Sequence, residues 1–214
     1  MIYCDIHTHR LPLKDSDGRF VLLNRIFGKD ELLPAPVRQS LGIHPWYIKE
    51  AAGKERLLSE YLGKPSVWAI GEAGLDKGAE APFPLQEKVF REQAEWAEEK
   101  GKPLIIHCVR AWSELLAARK ALHPRQTWIV HGFRGKAELA AQLSAQGLWL
   151  SFGERFQTAA LKAADPQRLL VETDESLLPI ALIYHRLALA LETEEADFAA
   201  QVLRNYTGLF PNIL

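Results

Sequence analysis

Short apolar segments alternate with longer amphipathic segments along most of this chain. Seven of the short segments have the pattern of β-strands and an eighth is weaker; they cover residues 2–6, 37–43, 67–71, 103–107, 127–131, 147–152 and 169–173, with 20–24 as the weaker one. Helical patterns lie between them over residues 85–100, 111–122, 136–146 and 155–164. Strands that alternate with helices of this length predict βαβ units and a parallel sheet. Eight strands are the number that closes a TIM-type (β/α)8 barrel.

The length of the chain predicts that this barrel is shortened. The chain has 214 residues, whereas a TIM barrel typically takes about 250. Only ten residues separate His9 from Phe20, too few for a helix that crosses between strands, and the connection from Asn24 to Val37 is also short. We therefore expect reduced helices after the first strands. An open doubly wound sheet is the alternative fold.

No repeat, linker or low-complexity segment divides the chain, so residues 1–214 are expected to form one domain. The 26 basic and 27 acidic residues give a net charge of −1, without the basic excess of a general duplex-DNA binder. Cys4 and Cys108 form no CxxC pair and are expected to be buried thiols in a reducing compartment. Neither a signal peptide nor an apolar run of about 20 residues is evident, which predicts a cytoplasmic protein without membrane contact. No obligate protein partner is indicated.

Metal-binding side chains follow five of the predicted strands. They lie in the segments Asp5-Ile6-His7-Thr8-His9, Gly71-Glu72-Ala73-Gly74-Leu75-Asp76, Ile106-His107-Cys108, Val130-His131-Gly132 and Glu172-Thr173-Asp174. The carboxyl ends of the strands of a parallel α/β barrel meet on one rim, so these side chains are expected to converge. Imidazoles and carboxylates in this number suffice for two divalent cations. The candidate metal ligands are His7, His9, Glu72, His107, His131 and Asp174.

Several neighbouring side chains allow more than one interpretation. Asp5 is either a partner of the metal ligands or a buried structural carboxylate, and Asp76 is more typical of a cap or a supporting group than of a ligand. His44, in Gly-Ile-His-Pro-Trp, is a ligand, a substrate contact or part of a turn. His123 and His185 are expected to be surface or packing residues.

The order of these motifs resembles the TatD family of metal-dependent deoxyribonucleases within the amidohydrolase superfamily. The resemblance rests on Asp-x-His-x-His, Gly-x-His-Pro, Gly-Glu-x-Gly-Leu-Asp, Leu-Ile-Ile-His, His-Gly-Phe-x-Gly and Glu-Thr-Asp, and it extends from Asp5 to Phe210. It implies a TIM barrel, two divalent metal ions, cleavage of phosphodiester bonds in DNA, and metal binding by the six candidate ligands. The chain departs from the family where Glu175-Ser176-Leu177 replaces the usual Ser-Pro-Tyr or Ala-Pro-Tyr. Positions expected to contact substrate therefore differ, while the candidate ligands are present.

The mechanism that these residues predict uses two divalent ions, such as zinc, manganese or magnesium, that share Glu72. One ion would bind His7 and His9, with Asp174 beside it, and the other would bind His107 and His131. Glu72 and Asp174 are the candidate catalytic residues, and Asp174 would accept a proton from a metal-activated water.

His44, Arg110 and Arg134 are the candidate substrate-binding residues, the arginines through a phosphate. Trp46 either stacks on a base or covers apolar surface. We expect hydrolysis of DNA ends, short nucleic acids or small phosphodiesters. The alternatives are an amidohydrolase acting on a small amide, lactone or ester, a histidinol-phosphatase-like phosphoesterase, for which Ser16-Asp17-Gly18 stands too far after His9, and a non-catalytic binding protein.

Overall fold

The computed structural model describes residues 1–11 and 19–210. Its eight strands are β1 Tyr3–Thr8, β2 Arg19–Ile26, β3 Gln39–Gly42, β4 Val67–Asp76, β5 Leu104–Val109, β6 Trp128–Val130, β7 Trp149–Phe152 and β8 Leu169–Val171. The strands form one sheet in the order of the chain, and a parallel bridge between Thr8 and Asp174 joins the end of β1 to the segment after β8. In a doubly wound sheet the strand order would reverse at a central strand. The TIM-type (β/α)8 prediction is confirmed, and the open-sheet alternative is wrong.

Helices follow most of the strands. They are α1 Ile48–Ala51, α2 Glu55–Leu62, α3 Phe83–Lys100, α4 Trp112–Leu122, α5 Ala137–Ala145, α6 Thr158–Ala163, α7 Ile180–Leu191 and α8 Glu195–Leu209, with short 3-10 turns at Pro45–Tyr47 and Pro166–Arg168. As expected, the described residues between β2 and β3 form no helix. Between β1 and β2 the expectation is not tested, because residues 12–18, which include the Ser16-Asp17-Gly18 motif, lie outside the described residues. Helix α6 begins later than its predicted start, because the backbone of Gln157 is extended.

The chain divides into two compact units, Met1–Leu23 with Ile129–Leu214 (unit 1) and Asn24–Trp128 (unit 2). The single domain over residues 1–214 stays a prediction. The core of unit 1 forms where α7 and α8 pack on β1, with Tyr184 and Tyr206 fully buried. Tyr184 also links two elements, because its hydroxyl donates to the carbonyl of Cys4 in β1 (2.9 Å) and accepts the Cys4 N–H (3.0 Å).

The core of unit 2 forms where α3 packs on β4. Strand β4 is buried along nearly its whole length, as parallel strands covered on both faces are. Phe90 of α3 meets Trp128 edge to face, with ring centroids 5.3 Å apart. Both rings are fully buried, and burial of a side chain as large as Phe stabilises a fold by about 1.5–3 kcal/mol.

Both cysteines are free thiols, Cys4 buried in β1 and Cys108 half-buried in β5. Burial raises the pKa of each thiol to about 12, so neither is an activated nucleophile. Within the described residues, no helix has both the length and the apolar character needed to cross a membrane. The cytoplasmic location stays a prediction.

Candidate metal sites

The first cluster, defined here as His7, His9, His131 and Asp174, lies in unit 1. Backbone hydrogen bonds hold its two main segments together: Asp174 N–H donates to the His7 carbonyl (2.9 Å), and His9 N–H donates to the Asp174 carbonyl (3.3 Å). The φ angle of Asp174 is 53°, a left-handed conformation that Asp and Asn tolerate better than most residues. The end of β1 and the segment after β8 therefore fix the place of Asp174.

The side chains of the first cluster face one another at distances suited to a shared ion. Asp174 Oδ1 lies 3.5 Å from His9 Nε2 and 3.9 Å from His7 Nε2, and the rings of His7 and His131 are 4.2 Å apart at their centroids. One ligand atom each from His7, His131 and Asp174 lie within 4.8 Å of one another. Two imidazoles and a carboxylate are donors that zinc and related divalent ions accept. His131 therefore belongs to the same cluster as His7, whereas the sequence had assigned it to the other ion.

Asp5 makes hydrogen bonds to the two segments that carry His7 and Asp174. Its carboxylate accepts the N–H (3.0 Å) and the hydroxyl (2.7 Å) of Thr173, and the N–H of His7 lies 3.4 Å from the same carboxylate. Burial raises the pKa of Asp5 to about 7, against the hydrogen bonds from Thr173, which lower it. Of the two interpretations that the sequence left open, the structure favours a buried structural carboxylate.

Glu172 is a second buried carboxylate beside this cluster, and it is not among the candidate ligands predicted from the sequence. It is fully buried, and its Oε1 lies 3.7 Å from His131 Nδ1. Burial opposes ionisation of Glu172, but His131, His7 and Ser151 hold the pKa of its carboxyl below the usual range. A carboxylate beside the second nitrogen of a ligand histidine fixes the orientation of the ring. The sequence did contain a signal for Glu172: it stands two residues before Asp174, and alternate residues of an extended segment point to the same face.

The second cluster, defined here as His44, Glu72, Asp76 and His107, lies in unit 2. Glu72 is at its centre: its Oε1 lies 3.2 Å from His44 Nε2 and 3.0 Å from His107 Nδ1. The other oxygen, Oε2, accepts a hydrogen bond from the amide of Asn24 (3.1 Å). One ligand atom each from His44, Glu72 and His107 lie within 4.8 Å of one another. The sequence had left the role of His44 open, and the structure places it against Glu72.

Hydrogen bonds around the two imidazoles indicate different roles for them. His44 Nδ1 accepts the backbone N–H of Trp46 (3.1 Å), so in the neutral ring the proton is on Nε2, which faces Glu72. His107 Nε2 lies 3.2 Å from Asp76 Oδ2. If it donates there, His107 Nδ1 turns a lone pair towards Glu72, and a cation between these two electron-pair donors is favourable. His44 is thus placed to donate to Glu72, and His107 to bind a metal with it.

Asp76 has the supporting role that the sequence favoured for it. Its carboxylate accepts hydrogen bonds from the Trp46 indole N–H (2.7 Å) and from the backbone N–H of Gly78 (2.7 Å). Burial opposes its ionisation, but these donors together with His107 hold the pKa of Asp76 below its usual range. An ionised carboxylate at this position keeps the His107 ring oriented.

Two buried glutamines of α3 hold the strand ends that carry the second cluster. Gln93 accepts the N–H of Ile43 (2.7 Å) and donates to its carbonyl (3.0 Å), next to His44. Gln86 makes the same pair of bonds with Asp76, accepting its N–H (2.8 Å) and donating to its carbonyl (3.0 Å). The two glutamines are seven residues apart and lie on one buried face of α3, and this face anchors the site.

The glycines of the Gly-Glu-x-Gly motif let β4 approach β5 closely. A Cβ atom on Gly74 would overlap the carbonyl oxygen of His107, and Gly71 adopts a φ of 124°, which side chains other than hydrogen rarely permit. These glycines therefore have a packing role beside Glu72 and His107.

The remaining candidates fall into two groups. Arg134 reaches the first cluster, with Nη2 3.7 Å from Asp174 Oδ2, and lines a cavity of about 430 Å³ together with Gly132 and Gly153. Arg110 is exposed beyond β5, and its phosphate contact stays a prediction. As expected, His185 is at the surface, where its Nδ1 lies 3.0 Å from Glu195; His123 ends α4 in a left-handed conformation.

Comparison with known proteins gives one consistent family. The model of TatD-related DNases matches residues 25–210. A Buchnera aphidicola protein named an uncharacterized metal-dependent hydrolase is 28% identical over 193 residues, which are 80% of this chain and 73% of that protein. The TatD protein of Cronobacter sakazakii, named a 3'-5' ssDNA/RNA exonuclease, is 34% identical over 64% of this chain and 56% of its own length.

Solved structures agree with the fold. The crystal structure of YJJV, a TatD homologue from Escherichia coli K12, has a TM-score of 0.80 at 20% identity, over 97% of each chain. The chain spans between half and three quarters of the length of several bacterial relatives it matches. The predicted fold class and the predicted metal-dependent hydrolase family are confirmed. The chain belongs to the family of TatD-related DNases.

Proposed function

We propose that this protein hydrolyses phosphodiester bonds at the ends of nucleic acid strands or in small phosphodiesters, with one divalent ion held by each cluster. The observation that carries the proposal is that each unit contains imidazole and carboxylate side chains whose ligand atoms lie within 4.8 Å of one another: His7, His131 and Asp174 in unit 1, and His44, Glu72 and His107 in unit 2. The names of relatives support the substrate class, because the Cronobacter protein is named an exonuclease of single-stranded DNA and RNA and a human relative a 3'-5' RNA nuclease.

The donor sets fit divalent ions in both clusters. His7, His131 and Asp174, with His9 alongside, would hold one ion, and Glu72 and His107 would hold the other. Such ions supply positive charge that stabilises the phosphoryl oxygens and make nearby water more acidic. Mixed nitrogen and oxygen donors suit zinc, manganese or similar ions.

Three side chains of the protein would then accept a proton, bind the phosphate and orient Glu72. Asp174 is 21% exposed and lines the cavity beside the first cluster, and it would accept the proton of the attacking water. Arg134, whose guanidinium lies 3.7 Å from Asp174 Oδ2, would hold the phosphate beside it, since a guanidinium forms paired hydrogen bonds with phosphate oxygens. His44 would donate to Glu72 and keep one carboxylate oxygen oriented.

The test compares linear and circular single strands. A 5'-end-labelled oligonucleotide and its closed circle are each incubated with the protein and Mn²⁺, with chelator and with the Asp174→Asn variant as controls. We expect progressive shortening of the linear strand, no cleavage of the circle, and loss of activity in both controls. Efficient cutting of the circle would contradict action at ends. Hydrolysis of amides without cleavage of either strand would replace the proposal by the amidohydrolase alternative.

A further inference from the structure

Trp46 is a large apolar side chain that the fold leaves in solvent. It is 60% exposed, in the 3-10 turn Pro45–Tyr47 that follows His44. Tryptophan is usually highly buried, because it offers more apolar surface than most side chains. An exposed tryptophan next to a candidate metal site therefore requires an explanation other than packing.

The exposed ring is nevertheless held in a fixed place. Its indole N–H donates to Asp76 Oδ2 (2.7 Å), and its backbone N–H donates to His44 Nδ1 (3.1 Å). The indole ring stands nearly perpendicular to the His44 ring, at 5.2 Å between centroids, and 6.2 Å from the His107 ring. Because its rotamer is already fixed, a ligand that stacks on it avoids much of the entropy cost of ordering an interface side chain.

We propose that Trp46 forms a stacking subsite for one nucleobase of the substrate, next to the second cluster. The inference rests on the proposed function, since a base is the planar aromatic group that a nucleic acid brings to such a site. Stacking on an aromatic ring recognises any base, because every base has a π-face. The subsite would therefore favour a nucleotide over a base-free phosphodiester without selecting a sequence.

The hydrogen bond to Asp76 joins this subsite to the second cluster. The same carboxylate oxygen lies 2.7 Å from the indole Nε1 and 3.2 Å from His107 Nε2. One group therefore sets both the plane on which a base stacks and the orientation of a candidate ligand. A base on Trp46 would hold its phosphate in a constant place relative to Glu72 and His107.

Two variants separate the ring from its hydrogen bond. Trp46→Phe and Trp46→Leu both lose the indole N–H, but only Trp46→Phe keeps an aromatic face. For a strand with an ordinary terminal nucleotide, we expect Trp46→Leu to raise KM by about 10- to 100-fold and Trp46→Phe to raise it less. For the same strand with abasic sugars at its end, the two variants should have equal KM values. Equal KM values of the two variants on both strands would show that the ring has only a structural role.

A binding measurement decides the inference without turnover. A dinucleotide added in Ca²⁺ should quench the tryptophan fluorescence of the wild-type protein, and Trp46→Phe should abolish that quenching. Leu189→Ala, which removes another exposed apolar side chain (64% exposed), is the matched control and should quench as the wild type does. Quenching that persists in Trp46→Phe, or that is absent from the wild type, would overturn the stacking subsite. Absence of nucleic acid cleavage with quenching intact would instead count against the proposed function alone.

Discussion

The two clusters use the same kinds of donor but are positioned by different parts of the chain. In the first, backbone hydrogen bonds between His7, His9 and Asp174 join the ends of two strand segments. In the second, side chains hold the strand ends, with Asn24 and Asp76 beside the donors and the α3 glutamines behind them. Backbone pairing survives most substitutions, whereas a side-chain support is lost with its residue. The first cluster should therefore tolerate changes around it better than the second.

The buried carboxylates also differ between the clusters. Asp5 and Glu172 are buried beside the first cluster, and burial raises the pKa of Asp5 to about 7. In the second cluster, Asp76 accepts three donors, and its pKa is below the usual range. Burial opposes ionisation of Glu172 as well, but His131, His7 and Ser151 hold its pKa below the usual range. The first cluster is thus flanked by one carboxylate with a raised pKa and one with a lowered pKa, whereas Asp76 in the second cluster has a lowered pKa.

The largest effect should come from Asp174→Asn. The amide keeps the shape of the side chain but cannot accept the proton of water, so turnover should fall by ~10²–10⁴-fold. Metal at the second cluster should be retained, because Asp174 is not among its donors. Turnover is measured on a labelled oligonucleotide, with Glu192→Gln as a surface control. Near-normal turnover in Asp174→Asn would show that this residue does not accept the proton of water. The first cluster would then have no catalytic role that the second lacks.

The next largest effect should come from loss of the carboxylates that lie beside the candidate ligand histidines. This effect can be compared directly between the two clusters. Asp76→Asn removes the carboxylate beside His107, and Glu172→Gln removes the one beside His131; loss of such a partner typically costs ~10–100-fold in metal affinity or activity. We expect Asp76→Asn to have the larger cost, because the one amide oxygen cannot accept from both the Trp46 indole and the Gly78 N–H, which bond different oxygens of Asp76. Calorimetric titration of metal-free protein with Mn²⁺ measures both affinities. An equal or larger loss in Glu172→Gln would contradict the idea that the second cluster depends more on its side-chain supports.

The smallest effect should come from Arg134→Ala. The side chain is 54% exposed, so the loss of a charge-assisted hydrogen bond to phosphate should raise KM by only about tenfold. Hydrolysis of a neutral ester should not change, since that substrate has no phosphate to bind. Arg134→Lys is the matched variant, which keeps the charge but loses the paired geometry. An equal effect on the neutral ester would assign Arg134 to the support of Asp174 instead of the substrate.

Much of the site could be predicted because it follows from local patterns. His107 and His131 each end an apolar run, and parallel strands bring such ends to one rim, so their role as candidates needed no long-range information. The place of Glu72 was predicted in the same way, although β4 continues past it to Asp76. The family resemblance relied on the same segments.

Other parts depended on contacts between distant residues. The role of His44 is set by Glu72 and by the backbone of Trp46, and nothing in the local sequence distinguishes a ligand from a hydrogen-bond donor. The grouping of His131 with His7 depends on which rings meet across the core of unit 1. The spacing of Gln86 and Gln93 places them on one helix face, but their polar partners could not be seen without the fold.

Measurement of the metal content shows whether each cluster holds its own ion. Elemental analysis after reconstitution should give two ions per chain for the wild type, one for His107→Ala, one for His131→Ala, and none for the double variant. If the two histidines shared one ion, as the sequence first indicated, the double variant would keep the other ion. One remaining ion in the double variant, or the loss of both ions from either single variant, would show that the clusters do not each hold an ion of their own.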